Sequence, residues 1–240
     1  MMLKTRLIQG LMLGLTLCTM HVTGKEVVQL ATHDAYPYHY VENELVKGNV
    51  IRQVQCAFSR MEAPYRAEFD SWVEAELKLR TGKLDAIFAV AQSDARMRYG
   101  TLSIPMARKH LYWYFSGAEM DINDNNPLYK KYKVAAEFGS DEWFDIKRKG
   151  YNVQMKPRSG NALLKLLLGH EVDAILIDEH EFEHELAKFK LQNTNFSRRE
   201  YGTIELGILF SKAFLKKRPT FLEAFNTAAS NCIVADDRKL

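Results

Sequence analysis

Leu79-Arg80-Thr81-Gly82-Lys83-Leu84-Asp85-Ala86-Ile87 returns later in the chain as Leu167-Leu168-Gly169-His170-Glu171-Val172-Asp173-Ala174-Ile175, with one extra residue between the glycine and the aspartate. Each copy reads as the end of a helix, a glycine stop, an aspartate at a turn and an apolar strand. One such join is common. Two of them, each inside a longer matching run, point to a tandem of two similar α/β lobes rather than one continuous sheet. Asp85 and Asp173 read as turn and strand-entry residues, not as ligands.

Outward from these copies the same grammar extends. Before the first, Val27 to Thr32 reads as a buried strand and His33 to Tyr40 as an aromatic loop. Gly48 opens a helix with Val50, Ile51, Val54, Phe58 and Met61 on one face. Tyr65 to Phe69 is a short strand, and Asp70 or Ser71 caps a helix that runs to Arg80. Leu84 to Ala91 is the strand that follows. Before the second copy, Tyr132 to Glu137 is a strand, Gly139-Ser140-Asp141 starts a helix, and Tyr151 to Met155 is a strand. Ser159 caps the helix Asn161 to Leu168; Val172 to Ile177 is a strand and Glu179 to Lys188 a charged helix. Alternating strands and helices imply mainly parallel pairing. His110 to Ser116 and Ile204 to Ser211 read as two crossover strands between the lobes. The chain then ends in the first lobe with a helix from Thr220 to Val234. The expected division is residues 25–112 with 207–240 for lobe 1 and 113–206 for lobe 2.

The chain has 240 residues, 47% hydrophobic and 26% charged, which excludes a disordered or fibrous protein. Lys and Arg total 33 against 30 Asp and Glu, with no basic block, so nucleic acid is not the expected partner. Lys4 and Arg6 precede a mostly apolar run from Leu7 to Met20, and no acidic residue occurs before Glu26. This is the pattern of a secretory signal peptide, with the cut expected after Gly24. A run of that length is too short to span a bilayer, which needs about 20 residues. The expected location is the periplasm and the expected state a monomer. Of the cysteines, Cys56 and Cys232 lie beyond the signal; an oxidising compartment lets them pair, and two free buried thiols are the alternative.

The chain from residue 25 onward resembles the family-3 extracellular solute-binding proteins, the periplasmic receptors of polar amino-acid uptake. The resemblance rests on a set of short stretches in order. They are Tyr36-Pro37-Tyr38, Asp70-Ser71-Trp72, Gly82-Lys83-Leu84-Asp85-Ala86-Ile87, Ser93-Asp94-Ala95-Arg96, Leu102-Ser103-Ile104-Pro105, Phe138-Gly139-Ser140 and Val172-Asp173-Ala174-Ile175-Leu176-Ile177-Asp178. It implies two lobes joined by two crossovers, a small ligand trapped in the cleft, no cofactor and no catalysis. It also implies an inner-membrane ABC permease or a sensor as partner.

Residue by residue, the resemblance makes Arg96 the carboxylate-binding arginine, with Arg98 as competitor. A guanidinium suits that task because its fork pairs both carboxylate oxygens. Ser140 matches the family's anion site at a helix start, where backbone N–H groups converge. Asp178 matches the ammonium-binding aspartate, beyond the end of a strand. Tyr36, Tyr38 and Trp72 are candidate aromatic walls, and Asp34 a further cleft residue. The stretch from Ala86 to Ala95 departs from the family: it carries Ser93 alone, with Gln92 as substitute, where several hydroxyls are usual. Arg158, Asn161 and Glu137 are candidate selectivity residues. Two rival readings stand beside this one. His180-Glu181-Phe182-Glu183-His184 fits the H-x-x-E-H zinc peptidase pattern. Glu137 or Glu179 could serve as proton donor in a small-acid enzyme built on the same fold.

Overall fold

The computed structural model describes residues 26–42, 45–122, 126–192 and 195–232. The expected signal peptide and its cleavage site lie outside these residues. Among them, no helix is long and apolar enough to cross a membrane.

The first half opens with β1 (Val28–Thr32), followed by a small hairpin of β2 (Tyr40–Glu42) and β3 (Leu45–Lys47). Helix α1 (Asn49–Arg60) buries Val50, Ile51, Val54, Ala57 and Phe58, the face read from the sequence with Ala57 added and without Met61, which is the half-buried residue that ends the helix. Then come β4 (Tyr65–Phe69), α2 (Trp72–Arg80), capped by Ser71, and β5 (Ala86–Ala91), buried at every position. Helix α3 (Asp94–Met97) and β6 (Gly100–Leu102) lead into the first crossover, β7 (Ala107–Ser116). The second half has β8 (Lys133–Ala135), α4 (Asp141–Arg148), β9 (Asn152–Val153), α5 (Gly160–Leu168), β10 (Ala174–Asp178) and α6 (Glu179–Lys188). The return crossover is β11 (Phe196–Ser211), and α7 (Lys212–Lys217) and α8 (Phe221–Ser230) close the chain.

The repeat seen in the sequence is a repeat of topology. The three parallel-paired strands of one half lie in the order β4-β1-β5, and those of the other in the order β9-β8-β10. The paired aspartates perform the same local task. Gln29 N–H donates to Asp85 Oδ2 at 2.8 Å while Asp85 N–H donates to the Gln29 carbonyl. Lys133 N–H donates to Asp173 Oδ2 at 2.7 Å while Asp173 N–H donates to the Lys133 carbonyl. Each aspartate therefore pins the entry of one strand to the entry of its neighbour.

One expectation changes. The halves are not separate sheets: among the described residues, nine strands hydrogen-bond into one curled sheet. The cause is the length of the crossovers. β7 and β11 pair antiparallel with each other from Phe196–Ser116 to Leu206–Ala107, and each then reaches the inner strand of one half, β10 for β7 and β5 for β11. Cores form on both faces in each half. Phe58, Phe88, Phe210 and Phe225 pack in the first, while Trp113, Ile146 and Leu176 on one face and Leu164, Ile175 and Phe182 on the other pack in the second. Cys56 of α1 and Cys232 beyond α8 form a disulfide, with Cα atoms 5.9 Å apart.

Candidate functional site

The carboxyl ends of β1 and β8, equivalent strands of the two halves, face each other across a cleft. Ligands in open α/β sheets sit beyond such ends. His33 and Asp34 follow β1; Glu137 and Phe138 follow β8. Between them lies an inner chamber of about 220 Å³. Tyr38, Trp72, Ser140, Lys109 and Glu181 complete its polar and aromatic walls. A wider cavity of about 650 Å³ opens on the outer side, and Gln92, Ser93, Arg96 and Arg98 line it. Trp72, Ala91, Asp141 and Glu142 border both.

Local sequence sets these positions. Gly48 has φ of 126°, and a Cβ there would lie 2.2 Å from the Tyr38 carbonyl oxygen. That close approach lets Val50 N–H donate to the same carbonyl, so the start of α1 anchors the aromatic loop. On β5, Ala89 has φ of 56° and is the extra residue opposite the Gly207/Ile208 register shift. This bulge turns the apolar strand toward the chamber, which Ala89, Val90 and Ala91 all line. The residues without hydroxyls thus supply an apolar wall.

The resemblance-derived residues fall into three groups. Tyr38, Trp72 and Ser140 line the inner chamber, and Ser140 also caps α4 by accepting from Trp143 N–H. Gln92, Ser93 and Arg96 face the outer cavity, where Ser93 caps α3. Tyr36 and Asp178 line neither of these two cavities. Tyr36 stacks on His184 of α6, with centroids 3.8 Å apart. Asp178 caps α6 through His180 N–H and Glu181 N–H, and its other oxygen takes His110 N–H at 3.1 Å and the Tyr38 hydroxyl at 2.9 Å.

Arg96 is only 5% exposed and well occupied. Its Nε donates to Glu76 at 2.8 Å; one Nη donates to Asp141 at 2.8 Å and to the Ala91 carbonyl at 3.1 Å. The guanidinium lies over Trp72 at 4.7 Å. A ligand carboxylate would have to displace Asp141 to be held by this fork. Of the other candidates, Glu179 pairs with Arg198, Asn161 bonds Glu185 at 3.4 Å, and Arg158 lies over Phe138. Among the described residues, no cluster of three or more His, Cys, Asp and Glu side chains has a metal-holding arrangement; His184 of the H-x-x-E-H stretch is engaged with Tyr36.

Several chamber residues were not singled out as ligand-site residues from the sequence: His33, His39, Lys109, Asp141, Glu142 and Glu181. Lys109 projects from β7, and its ammonium lies 2.6 Å from Glu142 Oε1. Burial alone would lower the Lys109 pKa; the carboxylates of Glu142, Asp178 and Glu181 outweigh it and hold it high. Burial likewise pushes the Glu142 carboxyl up, but Lys109 and hydrogen bonds to Ser140 and the backbone hold it below the usual range. Burial raises Glu137. It also pushes Glu181 up to about 8, against the pull of Lys109, so Glu181 is largely protonated at neutral pH. Burial and then Lys109 bring His33 down to about 4, and burial holds His39 well below the ordinary imidazole value. Both rings are neutral at pH 7. The available signals were weak: Glu181 lies within a helix read only as charged, and Lys109 one residue before a strand read only as a crossover.

No protein-family model matches the chain, and no curated protein is similar to it in sequence. Solved structures are similar in fold. A substrate-binding protein of an ABC uptake transporter from Streptococcus pneumoniae, with bound histidine, superposes with TM-score 0.70 at 14% identity, over 88% of this chain and 88% of that one. A histidine kinase sensor domain with similarity to periplasmic binding proteins gives TM-score 0.70 at 15% identity, over 85% and 89%. The ancestral amino acid-binding protein AncCDT-1, a precursor of cyclohexadienyl dehydratase, gives 0.67 at 15%, over 85% and 88%. The expectation from the resemblance therefore holds for the architecture: the chain has the two-lobed α/β fold of the periplasmic solute-binding proteins, with its cleft between the carboxyl ends of equivalent strands.

Proposed function

We propose that the protein is an exported solute-binding protein. Residues 25–112 with 207–240 form one lobe and residues 113–206 the other, and the two close on a small polar solute of amino-acid size. The closed form then docks on an inner-membrane ABC permease or a sensor. The observation that carries this reading is a small chamber walled by charged and aromatic side chains from both halves and crossed by contacts between them. Asp141 meets Arg96, Asp178 meets the Tyr38 hydroxyl, and His184 meets Tyr36. Contacts of this kind form and break as lobes move, and a ligand that touches both halves shifts the balance toward closure. In this reading Trp72, Tyr38 and Ser140 contact the solute, and Arg96 secures closure through Asp141.

The test is thermal unfolding of the purified protein against amino acids, small carboxylates and amines, followed by X-ray scattering with any hit. A ligand at a thousand times its dissociation constant adds about 4 kcal/mol and raises the melting temperature. Binding without compaction would sink the closure mechanism.

A second reading keeps the fold and adds chemistry. Glu181, largely protonated at pH 7, is placed to give a proton to a small acid in the chamber. Turnover of a bound acid, lost in Glu181→Gln, would favour it over capture.

A further inference from the structure

The inner chamber has an excess of carboxyl groups that the fold leaves without partners. Five acids line it: Asp34, Glu137, Asp141, Glu142 and Glu181. Lys109 is the one Lys or Arg among its lining residues. Asp141 is matched by Arg96, and Glu142 by Lys109. Asp34, Glu137 and Glu181 have neither an ion pair nor a side-chain hydrogen bond among the described residues. A second, independent set of atoms is also idle. His39 is 1% exposed and neither ring nitrogen has a hydrogen-bond partner; Nδ1 of His33 has none either. Both rings line the chamber. Buried polar atoms of this kind are normally satisfied, and their accumulation around one cavity points to a missing hydrogen-bonding guest.

We propose that the chamber binds a small organic cation, an alkylammonium or a guanidinium, between Glu137, Glu181 and Asp34, and that the guest needs no carboxylate. The proposal rests on the solute-binding reading and names the group that is recognised. Three features support it. An entering anion would meet three unpaired carboxyl groups and a lysine already engaged at 2.6 Å. A cation instead supplies a counter-charge to Asp34 and Glu137, and to Glu181 once its proton has left. Its N–H donors can also meet the free lone pair of a neutral imidazole, which a carboxylate cannot do. The chamber volume fits a compact guest, since drug-sized ligands occupy about 300 Å³ or more.

Proton linkage follows from the geometry around Glu181. Lys109 faces it from β7, Glu137 from the end of β8, Asp178 from the end of β10 and Glu142 from α4. Gly160 at the start of α5 has no side chain to interfere: a Cβ there would lie 2.6 Å from Glu181 Oε1. The carboxyl is mostly protonated near neutrality, so a cation that pairs with the carboxylate must expel a proton. Its affinity should weaken by about tenfold for each pH unit below about 8, until the bound-state pKa is reached.

The experiment is titration calorimetry on the purified protein at pH 7, in two buffers of different ionisation enthalpy. The probes are agmatine and cadaverine as cations without a carboxylate, arginine and lysine as their amino-acid counterparts, and succinate as an anion. The expected result is binding of agmatine or cadaverine, at least as tight as the matching amino acid, with net proton release and no binding of succinate. Glu181→Gln and Glu137→Gln, checked for folding by circular dichroism, should each weaken the cation at least tenfold, and Glu181→Gln should abolish most of the proton release. Binding of succinate or of the amino acids alone would leave the solute-binding reading intact and overturn the proposal. So would cation binding unchanged in both variants. No binding by any probe, with no compaction in scattering, would overturn both together.

Discussion

Arg96 and Asp141 meet at 2.8 Å across the cleft, one from α3 of the first half and one from the first turn of α4 in the second. Arg96 is held from behind by Glu76 and the Ala91 carbonyl, so in the proposed closure Asp141 is the partner that leaves it. The Asp141 side chain is 40% exposed, and such a bond contributes about 1 kcal/mol to the closed form. Asp141→Ala should therefore shift the closed–open balance about fivefold toward open. Small-angle scattering of the ligand-free variant should give a larger radius of gyration than the parent. An unchanged radius would show that this pair does not govern closure. Arg96→Ala is a harsher change: it strands Glu76, Asp141 and a buried carbonyl together, and should cost about 2 kcal/mol in denaturant unfolding.

Cys56 and Cys232 close a loop across a sequence separation of 176 residues. In the chain-entropy account a bridge over so long a loop stabilises by about 5 kcal/mol, chiefly through the unfolded state. Reduction, or the Cys56→Ser/Cys232→Ser double variant, should lower the urea midpoint strongly while leaving the chamber's ligand affinity unchanged at temperatures where the protein stays folded. An unfolding midpoint insensitive to reductant would show that the bridge does not form in solution.

Stability should depend on pH in two opposing ways. The folded His33 pKa of about 4 lies below the unfolded imidazole value of about 6.5. The unfolded chain therefore binds the extra proton between those values, and His33 contributes stability above pH 6.5 that is lost on acidification, up to about 3 kcal/mol. The folded Glu181 pKa of about 8 lies above the unfolded carboxyl value of about 4.3. Its contribution is fully present below the unfolded value and is lost as pH rises toward 8. Between pH 6.5 and 8 the Glu181 loss amounts to about 2 kcal/mol, offset in part as the unfolded His33, His39 and His184 imidazoles finish losing their protons. Chemical denaturation at pH 6.5 and 8 should show that decline, and Glu181→Gln should flatten it. A parent protein equally stable at both pH values would refute the assignment.

Asp85→Ala and Asp173→Ala remove the acceptors for Gln29 N–H and Lys133 N–H at the two strand entries. Each should cost about 1–2 kcal/mol. The sites share no partner, so the double variant should lose close to the sum of the two. A double variant much less stable than the sum would mean that the halves fold as one coupled unit.

Much of the architecture was legible because it rests on local chemistry. Helix caps at Ser71, Ser140 and Ser159, the buried face of α1, the glycine stops and the strand-entry aspartates depend on residues close in the chain, and all occur where read. The crossovers were placed correctly but too short, because pairing between β7 and β11 is a long-range property that extends both strands. The site was legible only in part. Tyr38, Trp72 and Ser140 sit at chain positions the topology must bring to the cleft, and they do line the chamber. Asp178 lies at a strand end as expected, yet its two oxygens are consumed by the cap of α6, the Tyr38 hydroxyl and His110 N–H, which sequence could not weigh.

The sequence by itself determined the tandem α/β pattern, the two crossovers and the residue types that reach the cleft, since periodicity, caps and turns act over a few residues. Tertiary structure alone decided which charges are spent and which are left over. Glu76 and Asp141 occupy Arg96, Glu142 occupies Lys109, and burial keeps Glu181 protonated. Those outcomes depend on distance and solvent access between residues far apart in the chain, and a linear reading has no measure of either.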